Sequence, residues 1–175
     1  DPRVLTSVAN ALGQIQSPRS VSLLERLCHH ADEDVAKAAL DALGNLEVNG
    51  FQPSKQILAF ANHANPQLRV SLLRVLRAIR HPKTVGIGRK ALVDRDETVR
   101  FEAIMTLHAI GIPDLQGEVG KILASASAKT KKRMLQALSI SSPDTMAMVA
   151  ALLDDHDESV REEAVRALAK SGTSA

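Results

Sequence analysis

The sequence of 175 residues contains few side chains whose type and spacing indicate a reaction. Cys28, His29 and His30 are adjacent, and thiolate and imidazole are ligands that Zn²⁺ prefers. Adjacent residues on a helix point in different directions, and no second group is spaced to complete four ligands. We therefore predict no metal site and no cofactor.

Nucleotide chemistry and covalent catalysis have equally little support. The segment GIGRK at Gly86 to Lys90 lies inside a helix-length segment and lacks the strand and the remaining glycines of a phosphate-binding loop. No spacing of serine, histidine and an acidic residue indicates a nucleophile. The chain is therefore predicted not to be an enzyme.

Positive charge is concentrated in the middle of the chain and is the stronger indication of function. Residues 66–100 carry nine basic and three acidic side chains, a net charge of +6, although the whole chain has a net charge of only +2. Residues 1–65 and 101–175 each have a net charge of −2. A basic belt of this kind attracts acidic protein segments or phosphate groups.

A helical pattern, clearest from Asp96 to Gly111, positions these charges. Val99, Ala103 and Leu107 recur at steps of four, so they form one apolar stripe on an α-helix and leave the opposite side open. Asp96 is a preferred N-cap, and Gly111 stands where a left-handed residue commonly ends a helix. The pattern predicts a complete helix with both ends marked.

The same pattern occurs six times, and its fixed period is the signature of stacked repeats. The anchor residues equivalent to Val99 are 30 to 33 positions apart, with a preferred N-cap three positions before each and a leucine eight positions after. The anchors are Val4, Val35, Leu68, Val99, Thr130 and Val160; the leucines are Leu12, Leu43, Leu76, Leu107, Leu138 and Leu168; and these helices, called second helices, are expected to begin near residues 2, 33, 66, 97, 128 and 158.

A leading helix is expected before every second helix except the first. All seven prolines stand at expected helix starts, where the missing N–H is not needed. The segment EVNG at Glu47 to Gly50 is expected to form a longer loop. The leading helices are predicted over Pro18 to His30, Pro53 to His63, Pro82 to Val93, Pro113 to Ala126 and Pro143 to Leu153.

Composition and periodicity together predict an all-α fold. Packing must rely on Ala and Leu, because the chain has three Phe and no Trp or Tyr. We expect a right-handed α-solenoid of about five and a half repeats, one array over residues 1–175, since helix pairs bury their stripes by stacking. The first repeat lacks a leading helix, so we expect a longer protein. One cysteine and no long apolar run favour a cytoplasmic location.

The pattern D-x-x-V-R-x-x-A-x-x-A-L-x-x-[IL]-G, present at Asp96 to Gly111 and at Asp157 to Gly172, resembles the HEAT repeat. It is most similar to the short variety, with a period near 31, of phycobilin lyase-like bacterial proteins. The resemblance implies that second helices line the concave face. It also implies that the basic residue after each anchor pairs with the acidic cap of a neighbouring repeat, as expected for Arg69, Arg100, Lys131 and Arg161.

Positions two, six and nine after each anchor are therefore expected to be exposed on the concave face. Inter-repeat packing is the alternative role for Phe101 and Met105, and simple solvation for Arg74 and Arg77. Together with the basic belt, these positions predict a partner-binding site in repeats three to five. Its residues are Val70, Arg74, Arg77, Phe101, Met105, His108, Lys132 and Gln136.

The first hypothesis is a non-enzymatic scaffold that binds an acidic or mixed-character protein segment. The second is a nucleic-acid-binding module, and the third a cofactor lyase-like enzyme. HEAT-like enzymes argue against the third: deoxyhypusine hydroxylase holds iron with His-Glu pairs where this chain has Phe101 with Glu102, and no bilin-binding motif is identifiable. The nucleic-acid hypothesis uses Arg74, Arg77, Lys129, Lys131, Lys132 and Arg133.

Overall fold

The structure is a computed structural model that describes residues 1–46, 51–112, 115–137 and 143–172. Within these ranges all regular elements are helical, with eleven α-helices and three short 3-10 helices, so the predicted all-α class is confirmed. The helices form the stacked pairs of an α-solenoid. The expected loop at Glu47 to Gly50, the helix start at Pro113 and the leucine at Leu138 lie outside the described residues.

The six second helices begin at the residues that the spacing predicts. Each cap side chain accepts a backbone N–H of the first turn; Asp96, for example, accepts from Thr98 at 2.8 Å and from Val99 at 3.2 Å. The N-cap interpretation of all six positions is confirmed. The second helices are α1 (Pro2–Ile15), α3 (Glu33–Asn45), α5 (Pro66–Ala78), α7 (Glu97–Ala109), α9 (Ala128–Ala137) and α11 (Glu158–Gly172).

The leading helices are shorter than predicted, and 3-10 turns extend three of them. Pro53 and Pro82 do not begin helices: each precedes its helix by two residues, and Ser54 provides the N-cap after Pro53. The leading helices are α2 (Val21–Leu27) after the 3-10 helix Pro18–Ser20, α4 (Lys55–Ala59) before Phe60–Asn62, α6 (Thr84–Ala91), α8 (Gln116–Ser125), and α10 (Pro143–Ala150) before Ala151–Asp154.

The chain divides into two compact units, Asp1–Ile112 and Pro113–Ala175, which are described separately. In the first unit α1, α3, α5 and α7 pack side by side in chain order. Helices α2 and α6 pack against second helices, and the leading segment that begins with α4 contacts α5 through its 3-10 turn Phe60–Asn62. Helix α5 has a second helix on either side, so Leu68, Leu72 and Leu76 are fully buried.

The expected packing stripe is buried in α3, α5 and α7 and exposed at the start of α1. Val35, Leu68 and Val99 have almost no exposed surface, whereas Val4 is 58% exposed. Small residues let α1 and α3 approach closely: a Cβ added to Gly13 would lie 3.0 Å from the Ala42 Cα atom. The Ala-rich composition therefore sets the close spacing of the second helices.

Three second helices, α1, α5 and α7, are followed by a left-handed residue at the same position. Gly111 has φ 78°, as predicted, and Gln16 and Arg80 adopt φ 52° and 48° at the equivalent positions, twelve residues after their anchors. The turn after α7 is closed by the backbone N–H of Ile112, which donates to the Leu107 carbonyl at 3.0 Å. Only Gly111 among these three has the residue type that tolerates this conformation without strain.

In the second unit, α9 packs against α11, and α8 and α10 contact each other. Val160 and Ala164 of α11 and Met134 of α9 are fully buried, so the apolar stripe that starts at the anchor is also the packing side in this unit. Thr130 replaces an apolar anchor yet is buried, and its backbone N–H donates to the Ser127 hydroxyl. None of the helices in the described ranges has the length and apolar composition that a membrane span requires.

Candidate partner-binding site

The packing of α3, α5 and α7 leaves one row of side chains partly accessible, which we call the second-helix face. Leading helices cover one side of each second helix, and neighbouring second helices cover both flanks of α3 and α5 and one flank of α7, so a narrow strip remains. The strip holds positions six and nine after each anchor, and in α3 it also includes Lys37 at position two. In the first unit the second-helix face comprises Lys37, Asp41, Gly44, Arg74, Arg77, Met105 and His108.

Arg74 and Arg77 share one buried carboxylate from the next helix. Arg74 Nε donates to Glu102 Oε2 at 3.1 Å, and Arg77 Nη1 lies 2.9 Å from Glu102 Oε1. The Glu102 side chain is 4% exposed, whereas those of Arg74 and Arg77 are 41% and 35% exposed. Among the described residues, Oε1 has an ion-pair partner but no hydrogen-bond donor. The two guanidinium groups are thus held at the surface, and together with the Glu102 carboxylate they have a net charge of +1.

A second polar cluster joins α3 to α5. Lys37 Nζ donates to Asp41 Oδ2 at 2.6 Å, and the buried Ser71 hydroxyl donates to Asp41 Oδ1 at 2.6 Å. Lys37 of the same helix therefore neutralises the Asp41 charge, and Ser71 of the next second helix supplies a further hydrogen bond to the carboxylate. The net charge of the second-helix face then comes from the arginine pair.

The expected exposure of Val70 and Phe101 is wrong. Val70 is 2% exposed and Phe101 is 6% exposed, because helix packing removes apolar side chains at position two from water, whereas the charged Lys37 at the same position of α3 stays partly accessible. These two side chains are core residues and present no surface to a partner. Met105 is half-buried and His108 is exposed.

The remaining site residues lie in the second unit. Gln136 and Lys129 are exposed, and Lys132 and Arg133 are half-buried. Lys131 is only 6% exposed, and its Nζ atom donates to Asp155 Oδ2 at 2.6 Å. The expectation that Lys131 contacts phosphate is therefore wrong, because the side chain is already bound inside the unit.

The basic residues after the anchors are structural, as the resemblance implied, but their acidic partners are not the caps. Arg69 makes a bidentate pair with Asp94, and Lys131 pairs with Asp155. Each acid lies two residues before the cap of the next second helix and also accepts the N–H of that cap residue. Arg69, Arg100 and Arg161 each donate to two carbonyls of the loop just before their own helix.

These bonds lower the pKa of both acids. Burial alone would raise the pKa of Asp94, but hydrogen bonds from Arg69 and from the N–H of Asp96, with the nearby charges of Arg69 and Arg95, hold it below its ordinary value. The pKa of Asp155 is lowered mainly by the hydrogen bond from Lys131 and then by that from the N–H of Asp157. Both acids therefore stabilise the folded chain as carboxylates.

The histidines near Cys28 have packing and turn-forming contacts. His29 stacks on Phe60 with ring centroids 6.2 Å apart, and the Phe60 ring lies 5.6 Å from that of His63. His30 and His63 each accept the N–H of the cap two residues later through Nδ1. Burial, with the charge of Glu25, raises the pKa of Cys28 to about 12. Within the described residues, no group of three or more potential ligands is arranged for a metal ion.

Glu102 is the residue of this site that sequence reasoning missed. The third position after the anchor is charged in three copies, at Glu102, Arg133 and Glu163, and small in the other three, so the position alone did not distinguish Glu102. Its partners are 25 and 28 positions away, so no local pattern identifies them.

A family model described as HEAT repeats matches residues 1–47, 54–116 and 118–175. The chain belongs to the HEAT repeat family. No curated protein matches it. Among solved structures, similar chains include a designed armadillo repeat protein in complex with the peptide (KR)4, at 18% identity, TM-score 0.61 and coverage of 97% of this chain and 91% of that one.

Two engineered proteins are also similar. They have 20% and 17% identity and TM-scores of 0.57 and 0.54, with coverage of 99% of this chain and of 92% and 94% of theirs. At these identities the likeness supports the HEAT and armadillo type of helical stacking and nothing finer. The recurring basic residues Arg69, Lys131 and Arg161 bind the loops that precede second helices, in keeping with a repeated HEAT unit.

Proposed function

We propose that this HEAT repeat protein is a non-enzymatic scaffold that binds an acidic or mixed-character segment of a partner protein on the second-helix face. The observation that carries the proposal is the pair Arg74 and Arg77, held in place by the buried Glu102. Preorganised guanidinium groups lose little side-chain entropy on binding, and Arg is enriched among residues that dominate interfaces. Free N–H groups on both side chains suit carboxylate acceptors.

The finer parts of this proposal rest on sequence pattern and fold type. The site is extended to Lys132 and Gln136 of the second unit, in keeping with one right-handed array over residues 1–175. The short period supports membership of the phycobilin lyase-like bacterial type, and a cytoplasmic location fits a lone buried cysteine. A designed armadillo repeat protein of similar fold was solved in complex with the basic peptide (KR)4, which supports peptide binding as a role for this fold type. The positive charge of the arginine pair favours an acidic peptide here.

Nucleic acid is the weaker alternative, because several basic residues that it could use are already bound inside the fold. Arg69 and Lys131 are buried in ion pairs, and Arg100 donates to two loop carbonyls. Lys129 and Lys132 then remain as the principal phosphate contacts in the second unit. A few such contacts support only weak, strongly salt-dependent binding.

Fluorescence anisotropy with labelled (Asp-Glu)4 and (Lys-Arg)4 peptides tests the proposal. We expect the acidic peptide to bind more tightly, and Arg74→Gln with Arg77→Gln to weaken it by about tenfold or more. The matched control is Lys55→Gln with Arg89→Gln, which removes the same charge from exposed positions on leading helices. Failure of the acidic peptide to bind, or equal weakening in the control, contradicts the proposal.

A DNA-binding experiment on the same protein separates the nucleic-acid alternative from the scaffold proposal. A labelled DNA duplex is titrated over a salt series with the unmodified protein and with Lys129→Gln combined with Lys132→Gln. Tight duplex binding that falls steeply with salt and needs these two lysines would favour the alternative. The scaffold proposal expects no such dependence.

A further inference from the structure

A cleft lies among the leading helices of the first unit, separate from the second-helix face. Helix α4 has only five residues and continues as the 3-10 turn Phe60–Asn62, which packs on α5, while α6 packs on α5 and α7. The resulting gap has a volume of about 340 Å³. This is at the lower end of the range, roughly 300 to 1,000 Å³, of small-molecule sites.

The cleft has apolar walls and a neutralised floor. Leu58 and Ala61 line one side, Ile87 and Ala91 line the other, and these four side chains are not fully buried by the fold. The floor contains the Arg69–Asp94 pair, whose bonds at 2.7 and 2.8 Å cancel the two charges. Apolar surface is thus available to a ligand that enters this opening.

Two lysines at the edge give the cleft a positive charge. Lys83 lies directly before α6 and Lys90 lies in its last turn; both residues line the cleft, and both are exposed. Neither has a carboxylate partner among the residues that the structure describes. Three positive charges, from Arg69, Lys83 and Lys90, against one negative charge, from Asp94, give the lining a net charge of +2. The lysines are seven residues apart, about 10 Å along a helix.

We propose that this cleft binds a small amphipathic carboxylate, with its hydrocarbon or aromatic body against Leu58, Ala61, Ile87 and Ala91 and its acid group at a lysine. A compact anion such as phosphate leaves the apolar walls uncovered, and a neutral hydrocarbon leaves the lysines without a partner. The volume equals about eleven water-sized units, which matches a carboxylate of roughly eight carbons. This site is independent of the partner-binding proposal.

Octanoate is the probe, with octanol and inorganic phosphate as comparisons. Titration of the isotope-labelled protein, followed by amide chemical shifts, should show saturable changes within residues 58–62 and 83–91. We expect octanoate to bind more tightly than octanol, because the ion pair with a lysine adds to the apolar contact. Octanol binding equally well, phosphate binding equally well, or shifts confined to other segments would each overturn the assignment.

Two variants and one matched control sharpen the test. Lys90→Gln should weaken octanoate by about fivefold, the usual size of one exposed ion pair. Ala91→Leu should abolish binding by filling the cleft, while thermal melting checks that the protein stays folded. Arg89→Gln removes the same charge from the adjacent position of α6, which does not line the cleft. Equal weakening in Lys90→Gln and Arg89→Gln, or unchanged binding in a folded Ala91→Leu, contradicts the proposal.

Discussion

Arg69 of α5 and Asp94, in the loop before α7, form a bidentate ion pair that joins two consecutive repeats. The Arg69 Nε and Nη2 atoms lie 2.8 and 2.7 Å from the two carboxylate oxygens, and the side chains are 7% and 14% exposed. Because Asp94 also accepts the N–H of Asp96, the same carboxylate fixes the start of α7. One acid therefore connects repeat stacking to helix initiation.

This pair predicts that stability falls in acid. The pKa of Asp94 is lower in the folded than in the unfolded chain, so its contribution is complete at neutral pH and is lost as the pH falls from the ordinary value of 3.8 toward the folded value. We expect Asp94→Asn to lower the free energy of unfolding by about 2 kcal/mol at pH 7 and by much less near pH 2. Urea unfolding at both pH values measures this.

The control for Asp94 is Asp34→Asn in the same unit. Asp34 is exposed on the first turn of α3, and among the described residues its carboxylate has no ion-pair partner. We expect a change below about 0.5 kcal/mol. A loss for Asp94→Asn that does not shrink at low pH would contradict the assignment of its stabilising effect to the carboxylate.

Close contact between α1 and α3 predicts opposite effects of alanine at two helical glycines. Gly13→Ala would place a methyl group 2.9 Å from Ala42 Cβ and 3.0 Å from Ala42 Cα, and backbone cannot rotate away, so we expect a loss of about 2 kcal/mol. Gly86→Ala in α6 meets no atom within 4 Å and should gain about 0.5 to 1 kcal/mol from helix propensity. The melting temperatures of both variants, compared with that of the unmodified protein, show whether the two effects have opposite signs. Two stabilised variants would mean that the helices can separate without cost.

The local rules of helix ends were predictable, whereas lateral packing was not. Asp96 and Gly111 follow preferences set within a few residues, so the sequence alone places both. Phe101 lies opposite the apolar stripe of its helix and was expected to face solvent, but it is 6% exposed, and the packing that buries it is not contained in the pattern of one helix. The pairing of Arg74 with Glu102 depends on how closely α5 and α7 approach, which no single-helix pattern contains.

The left-handed conformation of Arg80 predicts a stabilising substitution. Arg80 is exposed with φ 48°, at the position where α7 has Gly111, so glycine there relieves backbone strain. We expect Arg80→Gly to raise the free energy of unfolding by about 0.5 to 1 kcal/mol. The contrasting variant is Arg89→Gly inside α6, which should cost about 1 kcal/mol. Urea unfolding that shows the same sign for both variants would contradict the role assigned to φ.

The shared carboxylate of Glu102 predicts strongly unequal effects on stability. Glu102→Gln leaves two arginines that are already 41% and 35% exposed and can be hydrated, so we expect a loss of only about 1 kcal/mol. Arg74→Gln with Arg77→Gln leaves a 4% exposed carboxylate without a positive partner and should cost about 3 kcal/mol.

The triple variant with all three replacements completes the cycle for this cluster. Because it removes the buried charge together with both partners, it should recover most of the loss of the arginine double variant. Urea unfolding of the three variants measures the coupling. Two outcomes would show that Glu102 does not hold the arginines as a unit, which would contradict the preorganised site. One is a larger loss of unfolding free energy for Glu102→Gln than for the arginine double variant. The other is a loss in the triple variant equal to the sum of those two losses.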